Sequence, residues 1–318
     1  MNDLEARELR YFVAVAEELH FGRAAQRLGM TQPPLSRAIR ELERRLDVRL
    51  LERTTRQVTL TAAGEVLLRD ARTALDAITA AGRRARNAGR PAPLLRLALK
   101  ADNDAGLLPR ILSTYQREEA APAVELVLGG RGEQAQALRD GRADVALLVS
   151  PFDDRGLDVE PLLTQPRLAV LAATDPLAAR SSLRLADLAG RRLPDGTPVG
   201  EDGPARPYDA VDRTRPQTAR PQAARPELVA GTQQPVSDLT QIFRLIELGG
   251  VVCFLPTWVT RRYPLPGIVY RPVSDLQPAT LAVAWPQDAR SPAIAAFVRA
   301  AASVVATDAE RSTAGAGR

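Results

Sequence analysis

Cysteine and histidine are almost missing from this chain of 318 residues, which has one of each, Cys253 and His20. A Cys/His zinc site needs several such ligands, and a Ser-His-Asp triad needs a histidine free for catalysis. One residue of each kind makes both implausible. A sensor that works through an internal disulfide needs a second cysteine, which the sequence lacks. Cys253 lies inside the apolar run Val251-Val252-Cys253-Phe254-Leu255, the setting of a buried structural thiol. His20 falls between the first two predicted helices and is expected to pack locally or be solvated.

Long apolar runs are absent as well. No stretch reaches the roughly 18 apolar residues of a membrane span, and the N-terminus has no apolar signal segment. The chain is therefore expected to be soluble and cytoplasmic, with no membrane partner. That argues against an extracytoplasmic solute-binding protein. Lysine is nearly absent too, since Lys100 is the only one, so almost all basic charge is arginine.

What is present begins with length and charge. The chain is long enough for more than one domain. Formal net charge is +5, and residues 1–90 carry 17 Arg against 12 Asp and Glu. The remainder has 26 basic and 26 acidic residues. The whole excess sits at the N-terminal end, as the electrostatic footprint of a nucleic-acid-binding segment should.

That end has a three-helix pattern. Leu9, Phe12, Val13, Ala16 and Leu19 recur at helical spacing over about 6–19. Gly22 can start a second helix carrying Ala24, Ala25 and Leu28, and Gly29 suits the left-handed residue that ends it. Thr31 then reads as an N-cap, and Pro33 and Pro34 fall in the first turn of a third helix. Leu35, Ile39, Leu42 and Leu46 form its apolar side. Gln32, Pro33, Ser36, Arg37 and Arg40 lie on the opposite side, near the end that meets base edges in a major groove. Gln can read adenine, Arg can read guanine, and Pro or Ser can approach a thymine methyl or a phosphate. Each polar residue alone fits an ordinary solvated face. The cap, the prolines, the Gly turn and the sorted helix together are far more specific. Leu50–Arg53 and Gln57–Leu60 then read as two short strands of a wing, with Arg53 and Arg56 at a tip that touches the minor groove or phosphates.

The stretch LRYFVAVAEELHFGRAAQRLGMTQPPLSRAIRELERRLDVRLLERTTRQVTLTAAG resembles the winged helix-turn-helix of LysR-type transcriptional regulators. Asp47 replaces the usual Gly and Leu51 the usual Phe. Asp tolerates a left-handed conformation and Leu is still apolar, so both departures are small.

From Thr61 to about Gly89 the sequence favours one long helix. Leu67, Ala71, Ala74, Ile78, Ala81 and Ala85 form a small-residue seam at heptad spacing, which suggests dimerisation. The resemblance also implies a linker-helix dimer. Asn87 to Pro91 ends the helix and marks a boundary. The expected organisation is a DNA-binding domain over 1–61, a linker helix over 62–90 and an effector-binding domain over 91–307. Residues 308–318 read as a disordered tail.

The third part alternates strands and helices, which predicts a parallel sheet covered on both faces. GLLPRILSTYQ, VELVLGG and LRDGRADVALLV resemble the first regulatory subdomain of the same family. The fold class is thus α/β, with an N-terminal all-α winged helix-turn-helix and a two-lobed effector domain like a periplasmic binding protein. The lobes are expected at about 91–156 plus 270–307, and at 157–269. Pro194 to Pro226 is rich in Pro and Arg, has little to bury, and is expected to be largely irregular.

Ligands of such sheets bind outside the carboxyl ends of the strands. There stand Lys100, Ala101, Asp102 and Asn103, then Gly129 and Ser150. Lys100 and the following helix start favour an anionic effector. The family's common hydroxyl is absent from this first turn. The resulting expectation is a regulator that binds double-stranded promoter DNA as a homodimer or homotetramer, responds to a small-molecule effector and engages RNA polymerase. No catalytic residue, metal site or cofactor is expected. An enzyme with an appended DNA-binding domain would need a nucleophile–base set, a Gly-rich phosphate loop or metal-ligand clusters. An effector-blind architectural DNA-binding protein is the other alternative, kept open by the Pro/Arg-rich stretch.

Overall fold

The computed structural model describes residues 4–53, 57–89, 93–119, 121–130, 132–200 and 238–315. They fall into two compact units. One is built on the described residues up to Gly89, and the other on most of the described residues that follow.

The first unit opens with α1 (Ala6–Glu18), α2 (Phe21–Arg27) and α3 (Gln32–Leu46). Phe12, Val15, Ala24, Leu35, Ile39 and Leu42 make its core, all close to fully buried. The turn glycine Gly29 is left-handed at φ 66, and Asp47 takes φ 51 at the end of α3. Leu19 also takes a left-handed φ of 46, an uncommon state for a non-glycine residue. Strands β1 (Leu51–Arg53) and β2 (Val58–Leu60) pair antiparallel as a short ribbon.

Helix α4 (Ala62–Ala88) is capped by Thr61, whose hydroxyl accepts from Gly64 N–H at 3.0 Å and donates to Arg49 O at 2.7 Å. Gly64 is required by contact, because a Cβ there would lie 2.1 Å from Leu50 O. The early turns of α4 lie on the core of this unit through Ala63, Leu67 and Leu68. Arg72 reaches back to Glu17 on α1 at 2.8 Å.

The second unit holds two sheets. The first has strand order β4-β3-β5-β10-β6, built from β3 (Leu94–Leu99), β4 (Ala123–Leu128), β5 (Val145–Val149), β6 (Leu157–Gln165) and β10 (Ala279–Pro286). Strand β3 pairs parallel with β4 and β5, while β10 runs antiparallel. Leu95, Leu97 and Leu99 pack with α5 (Leu108–Tyr115) and α9 (Pro292–Gly315) on one face. Ala98, Ala146 and Leu148 pack with α6 (Glu133–Arg139) on the other. The second sheet has order β8-β7-β9, from β7 (Arg167–Ala172), β8 (Cys253–Pro256) and β9 (Ile268–Pro272). Helices α7 (Leu239–Glu247) and α8 (Thr257–Arg262) pack on it, and Cys253 is buried there.

The expected parallel sheet is parallel only across β4, β3 and β5: β10 runs antiparallel to β5 and β6, and the second sheet is antiparallel throughout. Three further expectations change. Strand β6 belongs to the first lobe, because it pairs with β10 from Leu157↔Pro286 to Gln165↔Ala279. The chain changes sheets at Pro166, a residue with no N–H to continue a ladder. Strand β9 conversely lies wholly in the second lobe. The second change concerns the C-terminal end, where helix α9 runs on through residues 308–315 and Asp308 is ion-paired to Arg110. Third, the start of the Pro/Arg-rich stretch is packed, since Val199 lies in the second sheet's core beside Leu193 and Leu188. Residues 201–226 of that stretch lie outside the described residues.

Candidate functional site

Helix α3 begins at Gln32 with Thr31 in the extended N-cap conformation, φ −86. The Thr31 hydroxyl nevertheless makes no capping bond. The reason is in the sequence: an N-cap side chain accepts from the N–H of N2 or N3, and here those residues are Pro33 and Pro34. Thr31, Gln32, Pro33, Arg37 and Arg40 are exposed, and Pro34 and Ser36 are half-buried. Leu35, Ile39 and Leu42 beneath them are fully buried and fix the helix in place.

Charge is distributed unevenly along α3. Arg44 pairs with Glu41, and that contact raises the arginine's pKa and lowers the carboxyl's. Arg45 pairs with Glu8 of α1. Arg37 and Arg40 have no ion-pair partner among the described residues. The N-terminal half of the exposed face therefore presents unmatched positive charge beside Gln32 and Ser36.

The expected wing residues separate. Arg53 does not project: its guanidinium donates to Glu43 Oε2 at 2.8 Å and lies 4.9 Å from the Phe21 ring centroid. A nearby carboxylate and an aromatic face hold the cation against the domain. Arg56 lies outside the described residues. His20, expected only to pack or be solvated, caps α2. Its Nδ1 accepts from the N–H of Gly22 at 3.1 Å and of Arg23 at 3.2 Å.

The linker seam is divided as well. Ala71 is buried and Leu67 is packed on the DNA-binding unit's core, because this part of α4 covers that unit's own apolar side. Ala74 is half-buried. Ile78 is 47 % exposed, and Ala81 and Ala85 beyond it are exposed too. Only the later half of the seam is open to a second helix.

In the second unit, the expected effector residues stand at the carboxyl ends of three adjacent strands, β4, β3 and β5. Their polar groups are mostly engaged with one another. Lys100 Nζ donates to Asp102, and both side chains are largely buried. Lys100 therefore does not offer the unmatched charge expected of it. Ala101 is exposed and Asn103 half-buried, the latter's N–H closing a turn onto Lys100 O at 3.0 Å. Asp104 accepts from Gly106 N–H at 3.2 Å and pairs with Arg262 of α8 at 3.4 Å. Gly129 extends the β3–β4 ladder through Leu99 O at 3.2 Å. It also borders a shallow surface dent with Glu133 and Gln134.

Ser150 completes the ladder to β10. Its N–H donates to Thr280 O and its Oγ accepts from Thr280 N–H, both at 2.9 Å. The Thr280 hydroxyl lies 2.9 Å from that of Thr164 on β6. These threonines escaped the sequence reading. They are 116 residues apart, and only the β6–β10 register brings them together. Among the described residues no group of His, Cys, Asp and Glu could hold a metal ion, and no helix is long and apolar enough to cross a membrane.

Comparison with known proteins agrees with this architecture. Residues 6–65 match the family described as bacterial regulatory helix-turn-helix protein, lysR family. Residues 88–306 match the LysR substrate binding domain. The HTH-type transcriptional regulator AlsR of Bacillus subtilis is 32% identical over 93% of this chain and 94% of its own. BudR of Raoultella terrigena, another HTH-type transcriptional regulator, is 31% identical over 93% of this chain and 99% of its own. The crystal structure of CbnR, a LysR family transcriptional regulator, aligns over 95% of this chain and 99% of its own, at 24% identity and a TM-score of 0.49. With both halves matched in order and full-length relatives of the same kind, the chain belongs to the LysR family of DNA-binding transcriptional regulators.

Proposed function

We propose that the exposed N-terminal face of α3 reads promoter DNA in the major groove. Gln32, Pro33, Ser36, Arg37 and Arg40 meet base edges, while Thr31 and Pro34 border the phosphates. The observation that carries this is the contrast within one helix: Arg37 and Arg40 have no ion-pair partner among the described residues, while Arg44 and Arg45 are paired. Desolvating a guanidinium that already has a carboxylate gains little, whereas an unmatched one gains a full charge-assisted contact with a base or phosphate. Genome-wide footprinting of the full-length protein tests it. A pseudo-palindromic site with half-sites about one helical turn apart is expected, and binding that ignores sequence would reject it.

The chain acts by binding and not by catalysis, in the cytoplasm, as a homodimer or homotetramer. The exposed later half of the α4 seam, at Ile78, Ala81 and Ala85, supports pairing of two linker helices. The strand ends at Lys100–Asn103, Gly129 and Ser150 receive a small effector, whose binding alters the DNA contacts or the engagement of RNA polymerase. Because Lys100 is matched by Asp102, an anionic effector has to draw on helix α5's first turn or displace that pair. Calorimetric titration with carboxylates and amines distinguishes the cases, and binding of cations alone would exclude the anionic effector.

A further inference from the structure

The carboxylate of Glu43 has two jobs. Its Oε1 accepts from the backbone N–H of Leu50 at 3.0 Å and of Leu51 at 3.1 Å. Its Oε2 accepts from Arg53 at 2.8 Å. The Glu43 side chain is 15% exposed and that of Arg53 29%, so this contact is partly withdrawn from water. Arg53 in turn lies over the ring of Phe21, the first residue of α2. One side chain of α3 thus holds strand β1 at its start through the backbone and at its end through Arg53. The neighbouring Arg44–Glu41 pair is different in kind, lying within one helix with side chains 73% and 48% exposed.

We propose that Glu43 is the positioning residue that sets the wing against the recognition helix, and that Arg53 acts through Glu43 and is not a DNA contact. The proposal rests on the reading that α3 and the wing face DNA together. A ribbon of two three-residue strands has little stability of its own; Leu50 and Leu51 anchor its base in the helical core, and Glu43 supplies the polar contacts that set its direction. Without the carboxylate, two backbone N–H groups and one guanidinium lose their shared acceptor, and the wing turns away from the groove beside the one that α3 occupies.

The test uses full-length protein and a duplex selected by the wild type from a random-sequence library. Glu43→Gln removes a negative charge beside DNA, and electrostatics alone would then tighten binding. The positioning role requires the opposite sign, a loss of about tenfold, the scale of one charge-assisted hydrogen bond. Arg53→Met keeps an apolar stem over Phe21 and is expected to lose a similar factor. The double variant should be no weaker than the weaker single, since both act through one contact. Hydroxyl-radical protection of the flanking minor groove should fade in each variant, while protection of guanine N7 in the major groove persists. Equal or tighter binding by Glu43→Gln overturns the proposal, and so do losses that add. Should Glu43→Gln fail to fold, Arg53→Met decides alone: weaker binding with the flanking protection intact marks Arg53 as a direct phosphate contact. A wild type that selects no duplex brings down the DNA-facing reading itself, a result distinct from either variant outcome.

Discussion

The exposed N-terminal face of α3 and the strand ends of the second unit treat charge in opposite ways, although other arginines of the first unit are paired. On α3, Arg37 and Arg40 stand exposed with no ion-pair partner among the described residues. At the strand ends of the second unit, Lys100 is matched by Asp102, Asp104 by Arg262, and Ser150 by the backbone of Thr280. An unmatched exposed charge stays hydrated until a partner arrives, and it adds directly to affinity. A matched, buried pair stabilises the fold first, and a ligand must compete with it. The contrast suits a polyanion met at a surface on one side and a small molecule admitted by rearrangement on the other.

The largest effect should come from unmatching the buried pair. Lys100→Met leaves Asp102 as an uncompensated charge that is only 8% exposed. A loss of about 3–5 kcal/mol is expected in urea denaturation of the full chain, with most of it recovered in Lys100→Met/Asp102→Leu. A loss too small to measure would mean that the two regions do not differ in the way described. Next in size is Arg37→Ala, expected to cost about 1–3 kcal/mol in binding to a selected duplex and less on random DNA. Equal loss on both, measured by gel shift, would assign Arg37 to phosphate. Stability of the three-helix unit should then be scarcely altered, because the exposed side chain has no ion-pair or hydrogen-bond partner among the described residues.

A smaller effect concerns the cap of α2. His20→Ala removes the acceptor of two backbone N–H groups and should destabilise this unit by about 1 kcal/mol, with His20→Asn restoring it. Chemical denaturation followed by circular dichroism measures both. The smallest effect lies in the second sheet. Burial, and next to it the Cys253 thiol, push the Tyr270 hydroxyl up to about 12, and that hydroxyl donates to Tyr263 O. The unfolded value is about 10, so the folded state holds the proton more tightly. The stability this contributes is complete below about pH 10 and is lost as pH rises through about 12. Tyr270→Phe should flatten the alkaline limb of a stability–pH curve. An unchanged limb would show that the hydroxyl titrates as freely folded as unfolded.

Much of this was legible before any coordinates. The helical spacing of Leu35, Ile39 and Leu42, the turn at Gly29, the left-handed Asp47 and the cap at Thr61 all depend on neighbours within a few residues. At Thr31 the reading of a capping side chain was wrong, because Pro33 and Pro34, two and three residues on, have no N–H to give. Other features were out of reach. The seam of α4 reads the same whether its partner is another chain or α1 of its own, and periodicity cannot tell which. Arg53 reads as a wing-tip cation until Glu43, ten residues away, is found beneath it.

Local spacing and motifs contiguous in the chain were enough for the winged helix-turn-helix, for the alternation of strands and helices, and for the family. Tertiary structure alone decided which charges are free. Arg262 meets Asp104 across 158 residues and Ser150 meets Thr280 across 130. Whether a polar group awaits a ligand or is already satisfied depends on what lies within about 3 Å of it, and in a folded chain that neighbour is set by packing and not by sequence order.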